Sequence, residues 1–257
     1  MSPFALAGRR VVVTRPAGQA GHMAALIRAA GGEPLLFPAL EIFAAEDLQP
    51  VLALIERLDT FDMAIFISAN AVEKALALVR ERRAWPPALR VATVGRGSER
   101  ALRHHGFAAV IAPSRRFDSE GLLDLPELKQ VAGKRVVIFR GEGGRELLGE
   151  TLVARGATVE YAECYRRGRP HADAAPLLAL CAQSGLAAFT VTSSEGLANL
   201  HDMLGEAGRR CLEDTPMFAP HERIAAAARA LGVRTVVLTG PGDEGLVAGL
   251  AAFFAKV

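Results

Sequence analysis

Short runs of apolar residues alternate along the chain with stretches in which apolar residues recur every three or four positions. The first run, residues 10–14, is rich in valine and is followed by Gly18 and then by a helical spacing of apolar residues up to Ala30. Gly31 and Gly32 come directly afterwards, and glycine commonly ends a helix. This segment therefore predicts a β-strand, an α-helix and a turn.

The same alternation continues to the end of the chain. Further strands are predicted at residues 33–38, 64–68, 91–94, 109–112, 135–139, 158–162, 188–192, 217–219 and 235–238, and helices at 71–79, 99–105 and 118–125. Asn70 stands at the expected N-cap of the helix 71–79. Strands that are apolar throughout, each followed by a helix, indicate a parallel sheet covered on both faces. The predicted fold class is α/β, doubly wound.

The chain also repeats itself at about half its length. Four pairs of segments match in order, three at an offset of 125 and one at 124: residues 8–15 with 133–140, 66–72 with 191–197, 91–102 with 216–227, and 118–123 with 242–247. In the first pair, GRRVVVTR matches GKRVVIFR. Four ordered matches with an almost constant offset indicate an internal duplication. We therefore expect two similar doubly wound parallel-sheet domains.

Composition excludes disorder and a membrane span. Of the 257 residues 51% are hydrophobic and 23% are charged, so a sizeable core can form. No run of 18 uncharged apolar residues is present, which argues against a transmembrane helix. Near the start, Arg9 and Arg10 follow a very short apolar segment, which is the wrong order for a signal peptide. We expect a cytoplasmic protein.

The charged and reactive side chains narrow the choice of ligand. Arginine supplies 26 of the 30 basic residues, and its planar guanidinium suits carboxylates and phosphates. The arginine clusters are short and aromatic residues make up only 6%, so nucleic-acid binding is not expected. Cys164, Cys181 and Cys211 lack CxxC spacing, which argues against a disulfide framework and a zinc site. The histidines form no HExxH motif, so we expect no metal.

The turns that follow the strands are the predicted binding segments. In a doubly wound sheet, ligands bind beyond the carboxyl ends of the strands, where amides at helix N-termini point outward. Candidate residues in these turns are Arg15, Ser68, Asn70, Arg96, Ser98, Arg140, Ser193, Ser194, His221 and Arg223. Helix capping alone explains many Ser, Thr and Asn residues at such positions. It does not explain Arg15 and Arg140, which follow the first strand in both copies.

A glycine pattern, Gly240-x-Gly242-x-x-Gly245, follows the strand predicted at residues 235–238. The pattern fits a dinucleotide-binding motif, but the chain ends 12 residues after Gly245. A continued βαβ unit, with an acidic residue about 20 positions further on to bind ribose, is therefore not available. A nicotinamide cofactor is not expected.

Six segments in this order resemble the bacterial uroporphyrinogen-III synthase family: GRRVVVTRPAGQA, FISANAV, VATVGRGSERAL, GKRVVIFRGEGGRELL, VEYAECYRR and PHERIAAAARALG. The resemblance covers nearly the whole chain. It implies a lyase of tetrapyrrole biosynthesis that cyclises linear hydroxymethylbilane to uroporphyrinogen III, with inversion of ring D and loss of water. It implies no cofactor and no metal. We expect a monomer, with transient contact at most to the preceding enzyme of the pathway.

The resemblance also implies how the chain divides. Two α/β domains are joined by a two-stranded β linker, and each domain borrows the first strand and helix of the other repeat. Domain one is then expected at residues 1–36 and 169–257, and domain two at residues 40–164. The linker strands are expected near residues 35–42 and 160–167. A cleft between the domains is expected to bind the carboxylates of the substrate.

Roles for particular residues follow from the same resemblance. The family's candidate acid, a tyrosine at the end of a linker strand, matches Tyr165, and Tyr161 lies four residues earlier on the same face. Ser98 matches the threonine of a VGxxT turn. The equivalent turn in the second half often carries threonines in the family but here contains His221 and Arg223, so its binding groups stay open. Other turns that contact substrate match Ser68, Asn70, Ser193 and Ser194.

Two other kinds of protein share parts of this pattern. A non-catalytic two-lobed protein that binds an anionic small molecule would have the same paired α/β lobes. A sugar-nucleotide transferase is also two-lobed, but the DxD pattern is absent and the aspartates, such as Asp173, are isolated. Conversion of hydroxymethylbilane, and the isomer that is formed, would separate an enzyme of the suggested family from both alternatives.

Overall fold

The computed structural model describes residues 5–183 and 185–255. The chain folds into two compact units: unit 1 contains Met1–Glu41 and Gly168–Val257, and unit 2 contains Ile42–Arg167. Within the described residues, no helix is both long enough and apolar enough to cross a membrane.

Strands and helices alternate along most of the chain. The strands are β1 (Arg10–Val13), β2 (Glu33–Leu36), β3 (Glu41–Ala44), β4 (Met63–Phe66), β5 (Arg90–Thr93), β6 (Val110–Ile111), β7 (Arg135–Gly141), β8 (Thr158–Gly168), β9 (Ala188–Thr190), β10 (Met217–Ala219) and β11 (Val236–Leu238). The α-helices are α1 (Gly21–Ala29), α2 (Gln49–Glu56), α3 (Ala69–Arg80), α4 (Arg96–His104), α5 (Ser119–Leu123), α6 (Pro126–Lys129), α7 (Leu147–Ala154), α8 (Ala175–Ala182), α9 (Ser194–Asp214), α10 (Glu222–Ala230) and α11 (Gly242–Phe254). Helix α9 is interrupted at Gly205, whose φ is 55°.

Unit 1 is built on a parallel sheet whose described strands follow the order β11-β10-β9-β1-β2. Successive residues of β1 point to opposite faces, as in any strand. Val12 packs in one apolar cluster with residues of α9 and α10, whereas Val11 and Val13 pack in another with residues of α1 and α11. Helices therefore cover both faces, which is why residues 11–13 of the strand are all apolar.

Unit 2 has the same design, with described strands in the order β3-β8-β7-β4-β5-β6. The pairs β8–β7, β7–β4, β4–β5 and β5–β6 are parallel. Ala64 and Phe66 of β4 belong to one apolar cluster, and Met63 and Ile65 to the other. The prediction of two parallel α/β sheets is confirmed.

Each sheet takes strands from both halves of the duplicated sequence. The repeat offset relates β1 to β7, yet β1 lies beside β9 in unit 1 and β7 lies beside β4 in unit 2. The first strand of each copy therefore completes the sheet formed by the other copy. Residues 35–36 of the expected linker belong to β2, whereas β3 and β8 are neighbouring strands in the sheet of unit 2.

One prediction about helix α3 is wrong. Ser68, not Asn70, is its N-cap: the Ser68 backbone is extended and its Oγ accepts a hydrogen bond from the Ala71 amide at 3.0 Å. Asn70 is the second residue of the helix. Both residue types suit an N-cap, so the choice depends on where the chain leaves β4, and that strand ends at Phe66.

Candidate functional site

The carboxyl ends of parallel strands meet at one edge of each sheet, and the candidate residues divide between the two edges. We call these the carboxyl edge of unit 1 and the carboxyl edge of unit 2. The unit 1 edge carries Arg15, Ser193, Ser194, His221 and Arg223, and the unit 2 edge carries Ser68, Asn70, Arg96, Ser98, Arg140 and Tyr165. The fold therefore gathers every predicted site residue at one of these two edges.

Tyr165 is the most deeply buried side chain among the candidates. It lies on β8 with no exposed surface, in the apolar cluster that includes Phe66 and Phe139. A Cβ atom on Gly141 would lie 2.6 Å from the Tyr165 ring, so the neighbouring strand β7 needs a glycine there. The ring is thus a fixed part of the core of unit 2, and only its hydroxyl is available for chemistry.

The Tyr165 hydroxyl is part of a chain of hydrogen bonds. Its oxygen lies 2.9 Å from Ser68 Oγ and accepts a hydrogen bond from Arg167 Nη2 at 3.3 Å. With Arg167 donating, we assign the phenol proton to the bond toward Ser68 Oγ, which also accepts from the Ala71 amide. The Ser68 proton is then left for a further partner. Ser68 is half-buried, so the chain runs from an exposed arginine through the buried phenol toward the carboxyl edge.

Tyr161 has a different environment on the same strand, and the prediction that it shares a face with Tyr165 is wrong. The register of β8 against β7 shifts between Glu163 and Tyr165, so Tyr161 packs against the apolar cluster of Met63 and Ile65, on the other face of the sheet. Burial, together with the nearby Glu146 carboxylate, raises the pKa of Tyr161 to about 12. A phenol with such a pKa holds its proton firmly near neutral pH and is a weaker acid than an ordinary tyrosine. Its hydroxyl also lies where a Cβ atom on Gly149 would be, only 1.9 Å away, so it packs directly against α7.

Arg140 is buried, and its charge already has partners. Only about 6% of its side chain is exposed; Nη2 donates to Glu146 at 3.0 Å, and Nε lies 3.3 Å from Glu163. Its guanidinium also lies over the Tyr161 ring, 4.5 Å from the ring centroid. The side chain therefore ties β7 to β8 and to the start of α7 rather than presenting a free cation.

Arg96 differs from Arg140 in both its exposure and its partners. It is the first residue of α4, is exposed, and lies over the ring of Phe117 at 4.3 Å from the centroid. No carboxylate of the described residues pairs with its guanidinium. Ser98, two residues later in the first turn of α4, is buried, with 4% of its surface exposed.

In unit 1, Arg15 forms a cluster with two residues that the sequence did not single out. Its Nη2 lies 2.6 Å from Oδ1 of Asp243, and the Nδ1 atom of His22 lies 3.0 Å from Oδ2 of the same carboxylate. Asp243 is about nine-tenths buried at the start of α11, where the helix dipole favours a negative charge. Arg15 Nε is buried and has no hydrogen-bond partner among the described residues. The cluster holds the guanidinium in one place while leaving part of its donor capacity unused.

The glycine pattern at the start of α11 is explained by the backbone of the same turn. A Cβ atom on Gly245 would lie 2.3 Å from the Gly240 carbonyl group, and Gly242 has a φ of 76°. Glycine is therefore required by close backbone contact and by left-handed geometry. Because the Asp243 carboxylate occupies the start of α11, the turn is not arranged like a phosphate-binding loop.

The remaining candidates on unit 1 lie at the starts of two helices. Ser193 is the N-cap of α9, and its Oγ accepts a hydrogen bond from the Gly196 amide at 2.9 Å. Ser194 Oγ is buried without a hydrogen-bond partner among the described residues. His221 and Arg223, at the start of α10, are exposed, and neither side chain pairs with a charged group in the described part of the chain. Arg223 is therefore a free cation at this edge.

The cysteine prediction is wrong for one pair. Cys181 on α8 and Cys211 on α9 form a disulfide, and their sequence separation of 30 gives no local signal of it. Cys164 is a buried free thiol, and burial raises its pKa to about 12, so it does not act as a nucleophile near neutral pH. The described residues contain no group of three or more His, Cys, Asp or Glu side chains that could hold a metal ion.

Sequence reasoning missed four residues at these edges: His22, Phe117, Arg167 and Asp243. Only Asp243 had a visible signal, since it lies inside the glycine pattern at the start of α11. His22 lies on a helix and contacts Asp243, which is 221 positions away in the sequence. Phe117 is of interest only because the Arg96 guanidinium lies over its ring. Such pairings depend on the tertiary fold.

Comparison with known proteins connects this arrangement to one family. The family model described as "Uroporphyrinogen-III synthase HemD" matches residues 21–248. The chain is similar to the uroporphyrinogen-III synthase of Salmonella typhimurium, 36% identical over 91% of this chain and 96% of that protein. It is similar to the enzyme of the same name from Escherichia coli, 32% identical over 91% of this chain and 96% of that protein.

A solved structure supports the fold. The chain is similar to a mutant uroporphyrinogen III synthase from the extremely thermophilic bacterium Thermus thermophilus, with a TM-score of 0.63 and 17% identity, covering 97% of this chain and 100% of that one. At this identity the likeness concerns the fold alone, whereas the family model and the bacterial relatives carry the assignment. The chain belongs to the uroporphyrinogen-III synthase family.

Proposed function

We propose that this chain cyclises hydroxymethylbilane to uroporphyrinogen III, with inversion of ring D and loss of water, as a lyase of tetrapyrrole biosynthesis. The observation that carries the proposal is the family match over residues 21–248. The residues at each carboxyl edge support it, because both edges carry arginines, hydroxyl groups and helix N-termini suited to carboxylates.

The substrate explains why such edges are needed. Hydroxymethylbilane bears an acetate and a propionate on each of its four pyrrole rings, so its periphery is a belt of carboxylates. Arg15 and Arg223 on unit 1 and Arg96 on unit 2 supply cations for this belt. Hydroxyl, amide and imidazole groups of the same turns add further donors, from Ser68, Asn70, Ser98, Ser193, Ser194 and His221. Charge-assisted hydrogen bonds of this kind give both affinity and orientation.

Arg140 has a supporting part in this proposal. Its guanidinium is buried between Glu146 and Glu163 and is therefore not free to bind another carboxylate. It contributes by fixing the end of β7, which includes Gly141, and so by holding the Tyr165 ring in place.

Tyr165 is the proposed proton donor. The hydroxyl group of the substrate leaves as water once it receives a proton, and the pyrrole nitrogen stabilises the resulting azafulvene cation. The phenol reaches substrate through the Ser68 hydroxyl, since Tyr165 itself has no exposed surface. Arg167 donates to the phenol oxygen and stabilises negative charge that develops there. The cation then bonds to the substituted carbon of ring D to give the spiro intermediate. The bond from that carbon to the methylene bridge of ring C breaks, the freed methylene carbon bonds to the other α-carbon of ring D, and loss of the proton from that carbon completes the inverted product.

Steering is the larger part of the task. Spontaneous closure of hydroxymethylbilane gives the uninverted isomer, so the enzyme has to hold the two ends of the chain in register. Fixing the reacting ends in this way converts an encounter between flexible chain ends into an oriented intramolecular reaction. The chemistry requires no cofactor and no metal ion. We further propose that the protein acts as a monomer in the cytoplasm, with transient contact at most to the enzyme that supplies its substrate.

A turnover assay tests the proposal. Purified protein is mixed with freshly prepared hydroxymethylbilane, and cyclic product is measured after oxidation to the porphyrin. The proposal requires product to form faster with protein than without it, in proportion to protein concentration. A two-lobed binding protein would bind the tetrapyrrole without changing the rate or the isomer, and a sugar-nucleotide transferase would leave it unchanged.

A further inference from the structure

The carboxyl edge of unit 2 carries an exposed aromatic ring that the proposed function has not used. Phe117 keeps 37% of its surface exposed, one of few large apolar side chains of the described residues to do so. It lies between β6 and α5, next to the turn that begins α4. Exposed apolar surface of this size beside a binding edge is a candidate contact for an apolar part of a ligand.

The backbone around Phe117 is held firmly. The preceding residue, Arg116, pairs through Nε with Asp118 Oδ2 at 2.7 Å. The other oxygen of Asp118 accepts a hydrogen bond from the Gly121 amide at 2.7 Å and caps α5. A Cβ atom on Gly121 would lie 1.9 Å from the Arg116 carbonyl oxygen, so the loop and the helix are in close contact. The backbone on either side of Phe117 is therefore fixed by these contacts.

Arg96 lies directly against the exposed Phe117 ring. Its guanidinium lies over the Phe117 ring at 4.3 Å from the centroid and has no carboxylate partner among the described residues. Arg15 and Arg140, by contrast, already pair with acidic side chains. A guanidinium that stacks on an aromatic ring keeps its N–H donors around its edge, where a carboxylate can accept from them. The pair thus presents an apolar ring and a free cation side by side.

We propose that Phe117 and Arg96 form a subsite for one pyrrole ring of the tetrapyrrole, and that Phe117 is a binding residue for the substrate. The flat apolar pyrrole packs on exposed surface of Phe117, and a carboxylate attached to that pyrrole accepts hydrogen bonds from Arg96. A carboxylate alone would need only the cation, and an apolar ligand would need only the ring. A ring that carries carboxylates fits both. The inference rests on the proposed function, because that function supplies the ligand.

Substitutions at Phe117 test the subsite. Phe117→Ala is expected to raise KM for hydroxymethylbilane and Kd for the porphyrin product about tenfold, equivalent to about 1.4 kcal/mol, with kcat changed less than twofold. Phe117→Trp keeps a flat ring and should stay within threefold of wild type for both constants. Arg96→Lys keeps the charge but loses the planar face, and it should raise KM about fivefold.

A matched control uses another exposed apolar side chain of unit 2. Val153 is 55% exposed and lies in the last turn of α7, away from the start of the helix and the carboxyl edge. Val153→Ala should leave KM, Kd and kcat unchanged. Thermal unfolding of each variant measures folding separately, and Phe117→Leu, which keeps apolar volume without a flat ring, replaces the alanine variant if that one does not fold.

The outcomes distinguish a failure of the proposed function from a failure of the subsite. Wild-type protein that forms no uroporphyrinogen III would overturn the proposed function itself. Active wild type together with unchanged KM and Kd in folded Phe117→Ala, or in the leucine variant used in its place, would overturn the subsite alone. An Arg96→Lys variant with wild-type KM, or a Val153→Ala variant as weak as Phe117→Ala, would also overturn it.

Discussion

Replacing Tyr165 with phenylalanine removes one oxygen atom from the interior of unit 2. The ring stays packed against Gly141, but the hydroxyl loses its partners Ser68 at 2.9 Å and Arg167 at 3.3 Å. A hydrogen bond contributes about 0.5–1.5 kcal/mol net, and Arg167 is exposed enough to bind water instead. We therefore expect the free energy of unfolding to fall by about 1 kcal/mol, measured by urea denaturation.

The effect on the reaction should be larger. A positioned proton donor contributes about 100- to 10,000-fold to a rate. The leaving hydroxyl of this substrate is already activated by the pyrrole nitrogen, so we expect the low end, a kcat reduced about 10- to 100-fold. Binding of the porphyrin product should change less than threefold. The assay is initial-rate formation of uroporphyrinogen III from fresh hydroxymethylbilane, with product binding measured in parallel.

Two further variants make this prediction specific. Tyr161→Phe removes a phenol oxygen from the same strand, but that oxygen contacts Gly149 and Glu146 rather than Ser68, so kcat should stay near wild type. Ser68→Ala interrupts the chain of hydrogen bonds and should lower kcat as much as Tyr165→Phe. Tyr165 is not the proton donor if Tyr165→Phe keeps full activity while Ser98→Ala or Arg15→Ala loses it. Tyr165 would then be a packing residue, and catalysis would consist of steering through carboxylate contacts.

Three other predictions concern charge. Product affinity should fall several-fold from low to high ionic strength, because attraction between exposed arginines and carboxylates is screened over about 8–10 Å at physiological salt. A product affinity that does not change with ionic strength in a titration series would mean that backbone amides and burial hold the ligand. Asp243→Asn should raise KM about fivefold, because Arg15 loses the carboxylate that fixes it; unchanged KM would show that this ion pair does not position Arg15. The Glu160 carboxylate pairs with Arg57 and Arg135, which hold its pKa below the usual value. A lowered pKa in the folded state contributes stability that is present above the unfolded pKa of about 4.3 and is lost on acidification. Glu160→Gln should therefore cost about 1 kcal/mol at pH 7 and less at pH 3 in urea unfolding, and an equal cost at both pH values would contradict this assignment.

The elements of the fold could be predicted because they depend on local pattern. Val11, Val12 and Val13 are consecutive apolar residues, and the structure shows why: helices cover both faces of β1. The duplication predicted two similar sheets. Periodicity could not show that β1 and β7 lie in the sheets of the opposite repeats, since this depends on which strand edges pair after folding.

The location of the candidate residues could be predicted from the sequence, but the interactions of their side chains could not. Strand-to-helix turns gather at one edge in any doubly wound sheet, so Arg96 and Ser98 were found by position alone. Arg140 occupies an equally suggestive position, yet it is buried because Glu146 and Glu163 neutralise it. Nothing in the order of residues marks those partners, which come from the start of α7 and from β8.

The cysteine pair shows the same limit. Cys181 and Cys211 lie on two helices that pack together, and 30 residues separate them, so no short motif connects them. A spacing rule detects metal-binding and redox motifs because their ligands lie on one turn. It does not detect cysteines that meet only through helix packing.

The isomer of the product tests the central claim most directly. Freshly prepared hydroxymethylbilane is incubated with increasing amounts of wild-type protein, and the cyclic products are oxidised and separated by chromatography into inverted and uninverted isomers. If the chain catalyses this reaction, the inverted isomer, uroporphyrinogen III, replaces the uninverted one as protein is added. An isomer ratio that stays at the value of spontaneous closure at every protein concentration would show that it does not.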